Sequence, residues 1–239
     1  MKTFLPPEPV IVISPHLDDG VLSCAQLIDA SSDVMVVTVL AGAPNEHHEG
    51  YNSKSTGEHF APNAIKRRRA EDADAMSLLS SKFEWLDFLD GDYVNERPRV
   101  DDDHAMRDEI IRVLREERPA SVISPLGLYH EDHVLVSDVC IDIARKGGFE
   151  WYLYMDMPYG LAIPRTVSQR LAIVEKRVDL ESREPFSGNI SIKRQAMKCY
   201  VSQYGPTKRS HRRGFRAAMR APERYWRVAG DTSDSNDNY

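Results

Sequence analysis

Apolar residues follow two rhythms along this chain. Short apolar-rich runs recur at 10–13, 34–40, 83–89, 120–124 and 151–155, the first two dominated by β-branched residues. That is the composition of strands buried on both faces. Between them the apolar positions repeat with helical spacing, as in Val21, Leu22, Ala25, Leu27 and Ile28, and again in Met106, Ile110, Val113 and Leu114. These stretches predict helices over 21–30, 65–79, 103–118 and 134–144, with Pro119 ending the third and Gly147-Gly148 the fourth. Strand and helix alternating in this way predict an α/β fold. Its expected form is a Rossmann-like three-layer sandwich, a mostly parallel central sheet with helices on both faces. Beyond Pro158 the rhythm changes, and the expected elements are a strand over 173–180, a helix over 191–202 and a short strand over 225–228.

The length of 239 residues fits one domain over 1–230, and the polar, acidic 231–239 reads as a flexible tail. Residues 41–63 form a long polar stretch containing Gly42, Pro44, Gly50, Gly57 and Pro62, the pattern of a lid or an excursion. Its His47, His48 and His59 read as surface histidines.

Two polar clusters interrupt the pattern where a strand gives way to a helix. The first is His16, Asp18 and Asp19, just after the 10–13 run; the second is His130-Glu131-Asp132-His133, just after 120–124. Ligands of open α/β sheets bind at that end of the strands. Taken alone, Asp18 or Asp19 is equally well a helix N-cap and His16 a loop residue. Two such clusters at two strand ends change the balance. Together they hold the inventory of a mononuclear metal hydrolase: imidazole and carboxylate ligands, a base for water and a donor for an oxyanion.

The order Ser14-Pro15-His16-Leu17-Asp18-Asp19, then His130-Glu131-Asp132-His133, resembles the paired motifs of the PIG-L (LmbE-like) zinc-dependent N-deacetylases. Lesser agreements run from Val37-Thr38-Val39-Leu40-Ala41-Gly42 through Arg68 with Glu71, Phe88-Leu89-Asp90-Gly91 and Ser202-Gln203 to Glu223-Arg224, so the resemblance spans about 8–228. It implies one Zn2+ held by His16, Asp19 and His133, with Asp18 as general base. It further implies His130 as oxyanion stabiliser, expected as an imidazolium, and Asp132 as a carboxylate orienting a histidine. Arg68 and Asp90 match positions that lie near the substrate in relatives. The implied reaction removes an N-acetyl group from an amino sugar or glycoconjugate. Hydration of an unsaturated carboxylic acid on the same fold, or a catalytically inactive sugar-binding relative, are the alternatives. Leu17 and Glu131 stand where a proline is usual and Gly20 where an acidic residue often follows, which bears on subfamily rather than on the ligand set.

Composition narrows the partners. With 41% hydrophobic and 28% charged residues and a net charge of -6, nothing calls for nucleic acid. No apolar run is long enough for a transmembrane segment, and the first residues lack the apolar core of a signal peptide, so a cytoplasmic location is the expectation. Cys24, Cys140 and Cys199 read as reduced thiols. The basic runs Lys66-Arg67-Arg68-Arg69 and Lys208 to Arg220 read as solvated faces, the first paired locally with Glu71, Asp72 and Asp74. Oligomeric state is not encoded in any of these features.

Overall fold

The computed structural model describes residues 4–44, 62–94, 102–204 and 212–229. Seven strands form one sheet in the order β3-β2-β1-β4-β5-β7-β6. They are β1 (Val10–Ser14), β2 (Val34–Thr38), β3 (Lys82–Trp85), β4 (Ser121–Pro125), β5 (Glu150–Tyr154), β6 (Asp179–Ser182) and β7 (Tyr225–Ala229). The first five pair in parallel, while β7 runs antiparallel to both β5 and β6. Every residue of β1 and β4 is buried, as their unbroken apolar runs require of strands covered on both faces.

Helices α1 (Asp19–Ala30) and α2 (Pro62–Leu78) follow β1 and β2 as the sheet grows one way, whereas α3 (Asp102–Glu117) and α4 (Glu131–Ala144) flank β4 as it grows the other way. Right-handed crossovers therefore place the two pairs on opposite faces. The strand order reverses between β1 and β4. That reversal opens a crevice at their carboxyl ends, where the two polar clusters emerge.

The region after β5 departs from expectation. Residues 173–180 are not one strand: α5 (Tyr159–Ala162) and α6 (Pro164–Val174) precede β6, which begins only at Asp179. Pro164 starts α6, where its fixed φ favours a helix, and Val167, Arg170 and Val174 form its buried face. The β-branched Val174 thus serves a helical stripe, while Ile173 beside it is exposed. The helix expected over 191–202 is split into α7 (Ile190–Ala196) and α8 (Val201–Tyr204), and α9 (Arg212–Ala218) follows. The 231–239 tail, His47, His48, His59, Lys208 and Arg209 lie outside the described residues. Among the described residues no helix is long and apolar enough to cross a membrane.

Candidate metal centre

The loop after β1 is pinned by Ser14, whose hydroxyl donates to the His16 carbonyl at 2.6 Å and accepts the Gly20 N–H at 2.8 Å. A Cβ on Gly20 would stand 3.1 Å from Ser14 Cβ, so a small residue suits this close turn. Asp19 opens α1 and turns its carboxylate back, accepting the His16 N–H at 3.1 Å. Asp18 occupies the N-cap position with φ +146° but makes no side-chain cap bond. Its carboxylate is thus not used as a cap, and the backbone strain of such a conformation is on the order of 1–3 kcal/mol.

The second cluster is held by a similar device. Gly127 has φ +86°, and a Cβ there would meet Ser137 Cβ at 2.7 Å, so the β4–α4 connection can pass close to its own helix. His130 then caps α4 through Nδ1, which accepts a long bond of 3.4 Å from the Asp132 N–H. His133 follows in the first turn and is 1% exposed.

The two clusters converge. Asp19 Oδ2 lies 2.9 Å from His16 Nδ1 and 3.0 Å from His133 Nε2, so one carboxylate oxygen and two imidazole nitrogens face a common point. His16 and Asp132 are 116 residues apart in sequence, and His16 Nε2 lies 3.1 Å from Asp132 Oδ2. Asp90 Oδ2 stands 3.9 Å from the same nitrogen. Two groups of three donor atoms result, His16–Asp19–His133 and His16–His130–Asp132, each within 4.8 Å of one another and sharing His16 through opposite nitrogens.

The first group fits a divalent cation better. Each imidazole in it has its far nitrogen on a buried carboxylate: His16 on Asp132, and His133 on Asp156 at 2.6 Å. A carboxylate behind a ligating histidine fixes its tautomer and raises its basicity. In the second group His130 Nδ1 is already engaged by the helix N–H. Asp156 was not among the residues the sequence pointed to. It follows β5, is fully buried, and also accepts the Gly127 N–H at 2.9 Å. Its one signal was its position, a carboxylate at the carboxyl end of a third parallel strand.

Electrostatics agree with a cation site. Burial alone would lower the histidines, yet Asp90, Asp132 and Asp19 raise His16 well above the usual imidazole value, and Asp19 and Asp156 raise His133 to about 9. Burial likewise opposes charge on Asp19 and Asp132, but the facing imidazoles hold both far below the carboxylate range. Carboxylates that draw protons onto these rings without a metal will draw a divalent ion in their place. His130 behaves differently. Burial, then His16 and His133, lower its value. This favours a neutral ring with its proton on Nε2, not the imidazolium expected from sequence.

Arg68 and Asp90 are both near this crevice. Arg68 Nη1 reaches Tyr93 Oη at only 3.4 Å, and its buried Nε has no hydrogen-bond partner among the described residues. Several members of the basic run and its acidic neighbours are bound to other elements. Arg69 pairs with Asp87 and the Ala41 carbonyl, Glu71 binds Ser202, and Asp72 accepts from Trp85 and Tyr200.

Residues 11–144 match the protein family described as PIG-L: GlcNAc-PI de-N-acetylase. Among solved structures, the chain is similar to a deacetylase triple mutant (Orf2*T) of the teicoplanin biosynthetic pathway, with TM-score 0.73 and 24% identity over 95% of this chain and 100% of that one. It is also similar to the A40926 pseudoaglycone deacetylase Dbv21, with TM-score 0.63 and 28% identity over 92% and 96% of the two chains. The zinc-inhibited form of teicoplanin deacetylase Orf2 has TM-score 0.65 and 22% identity over 94% and 99%. The likenesses below 25% identity speak for the fold. Comparison with curated proteins gives no match.

Proposed function

This chain belongs to the PIG-L family, and from that premise we propose that it is a metal-dependent hydrolase that removes an N-acetyl group from an amino sugar or glycoconjugate. The observation that carries the reading is the converging set of His16 Nδ1, Asp19 Oδ2 and His133 Nε2, each imidazole backed by a carboxylate. These three residues would hold the ion, with zinc the first candidate for a two-His, one-carboxylate set. A bound divalent ion supplies Lewis acidity to an amide carbonyl and to water.

The remaining steps belong to the protein. Asp18, beside the ligands and unused as a helix cap, takes a proton from the attacking water and returns it to the departing amine. His130 donates through Nε2–H to the oxygen on which charge develops, which a neutral ring does without a proton transfer of its own. Asp132 accepts from both His16 and the Gly91 N–H, so it orients a ligand while tying the 88–93 loop to the site. Arg68, with a buried Nε that has no partner among the described residues, is suited to an anionic or strongly accepting group on the substrate, and Asp90 to a hydroxyl. The likeness to the A40926 pseudoaglycone deacetylase supports a substrate larger than a free sugar.

The test is a screen of N-acetylated sugars, glycolipid headgroups and aminoglycoside precursors for acetate release, with and without chelator. Release that stops with chelator, returns with Zn2+ and falls roughly 100- to 10,000-fold in Asp18→Asn is the expected result. Release from Asp18→Asn at the parent rate would remove Asp18 as the base. No release from any N-acetyl compound by the zinc-loaded parent would overturn the activity itself.

A further inference from the structure

Tyr129 combines features that the hydrolytic chemistry does not use. Its side chain is 66% exposed, its φ is +68°, and its ring stacks on that of Tyr159 with centroids 5.3 Å apart and planes 26° from parallel. A bulky residue is rarely found at positive φ, where glycine sits without strain, so an exposed phenol is held here against the local preference of the backbone. It immediately precedes His130. Tyr159 in turn meets the ring of His133 edge-on at 5.3 Å. An aromatic stair therefore runs from the ligand His133 through Tyr159 to Tyr129 and out to solvent, in two steps of 5.3 Å. The features around Arg68, Asp90 and Tyr93 are polar. A flat, exposed face one ring beyond the reacting centre suits a flat partner, the apolar face of a pyranose or an aryl ring, better than a flexible chain.

Resting on the deacetylase reading, we propose that Tyr129, braced by Tyr159, is a specificity-determining residue that stacks on a second ring attached to the amide-bearing sugar. The substrate class is then a glycoconjugate of at least two rings. The free N-acetyl monosaccharide is the poorer substrate because it leaves the outer step of the stair uncovered.

Three proteins test this: the parent, Tyr129→Phe, which keeps the flat face, and Tyr129→Gly, which removes it and relieves the backbone. The probes are N-acetylglucosamine, N,N′-diacetylchitobiose and 4-nitrophenyl N-acetylglucosaminide, the last two separating a sugar from an aryl second ring. In Tyr129→Gly the KM for a two-ring probe rises about three- to tenfold while kcat on the monosaccharide is unchanged and Tm is equal or higher. Tyr129→Phe stays within about twofold of the parent. Equal losses on one-ring and two-ring probes, or no loss on either two-ring probe, overturn the proposal. Should the parent hydrolyse none of these three probes, the deacetylase reading is judged separately, by the wider acetate-release screen. Stacking is then decided by proton NMR of the bound probes: ring-current shifts of the second ring seen in the parent and lost in Tyr129→Gly sustain it, and their absence in the parent refutes it.

Discussion

Asp156→Asn is the perturbation that bears most directly on the metal centre. In the parent, one carboxylate oxygen faces His133 Nδ1 at 2.6 Å and the other accepts the Gly127 N–H at 2.9 Å. Both partners are donors when His133 presents its Nε2 lone pair toward Asp19. A carboxylate satisfies two donors, whereas an amide has one acceptor oxygen and one NH2 group. If the amide oxygen turns to His133, the NH2 meets the Gly127 N–H. If it turns to Gly127, the NH2 faces Nδ1, the proton moves to Nε2, and the ligating lone pair is lost. Either outcome penalises the metal-competent tautomer. Loss of such an orienting partner typically weakens metal affinity about 10- to 100-fold, or roughly 1.4–2.7 kcal/mol. Asp156→Ala strands both donors and adds a folding loss of about 1–3 kcal/mol for each. Competition of the apoprotein with a chromogenic chelator measures the affinity, and thermal unfolding measures the stability. Tyr154→Phe, which deletes a buried bond to the Ile13 carbonyl, is the control: it loses about 1 kcal/mol of stability and none of the metal affinity. If Asp156→Asn binds zinc as tightly as the parent, Asp156 does not set the His133 tautomer, and the carboxylate–imidazole argument for choosing this triad fails.

Two further predictions concern buried charge away from the centre. Lys193 and Glu223 pair at 3.0 Å with both side chains fully buried, and Glu223 also accepts from Gln26 N, Leu27 N and Tyr225 Oη. Lys193→Met leaves that carboxylate without its cation and is expected to lower unfolding free energy by about 3–5 kcal/mol, read by urea titration; a loss under 1 kcal/mol would mean that the other donors suffice. Asp72 is raised above the usual carboxylate value by burial, which outweighs its bonds from Trp85 and Tyr200. A raised acid favours the fold in its protonated form, so its contribution is fully present below the unfolded value of about 3.9 and is lost as pH rises through the folded value. Urea unfolding of Asp72→Asn from pH 4 upward should therefore lack part of the parent's decline, and parallel curves would refute the assignment.

What the sequence disclosed and what it hid divide along the range of the interactions involved. His16, Asp18, Asp19, His130, Asp132 and His133 were legible because each sits within a few residues of a strand end, and the strand ends are announced by local apolar runs and by Pro15 and Pro125. The five parallel strands were legible for the same reason. Asp156 was not, because Met155-Asp156-Met157-Pro158 carries no local sign that its carboxylate meets an imidazole 23 residues away. The insertion of β7 between β5 and β6 is likewise a matter of long-range pairing, invisible to periodicity. His130's lowered basicity depends on burial and on two neighbouring imidazoles, one of them supplied by the β1 loop, which a motif names but does not weigh.

The adjacent aspartates raise a last question, why two residues side by side take such different parts. Asp19, inside the first turn of α1, folds its carboxylate back onto the His16 N–H and into the ligand set. Asp18 must then leave the chain in a direction that a helix entry does not ordinarily permit, and φ +146° is the result. The strain accordingly falls on the proposed base and not on the proposed ligand. Asp18→Gly would relieve about 1–3 kcal/mol of strain, set against about 0.5–1 kcal/mol of added chain entropy and about 0.3–1 kcal/mol for an acid lost from a helix start. The expected balance runs from about 1 kcal/mol less stable to about 2 kcal/mol more stable, with zinc stoichiometry unchanged and acetate release abolished. A variant that gains or keeps stability while losing only turnover would show that the fold tolerates Asp18 for the sake of proton transfer. A loss of about 2 kcal/mol or more would show instead that the aspartate stabilises the turn, and the case for it as the base would have to be abandoned.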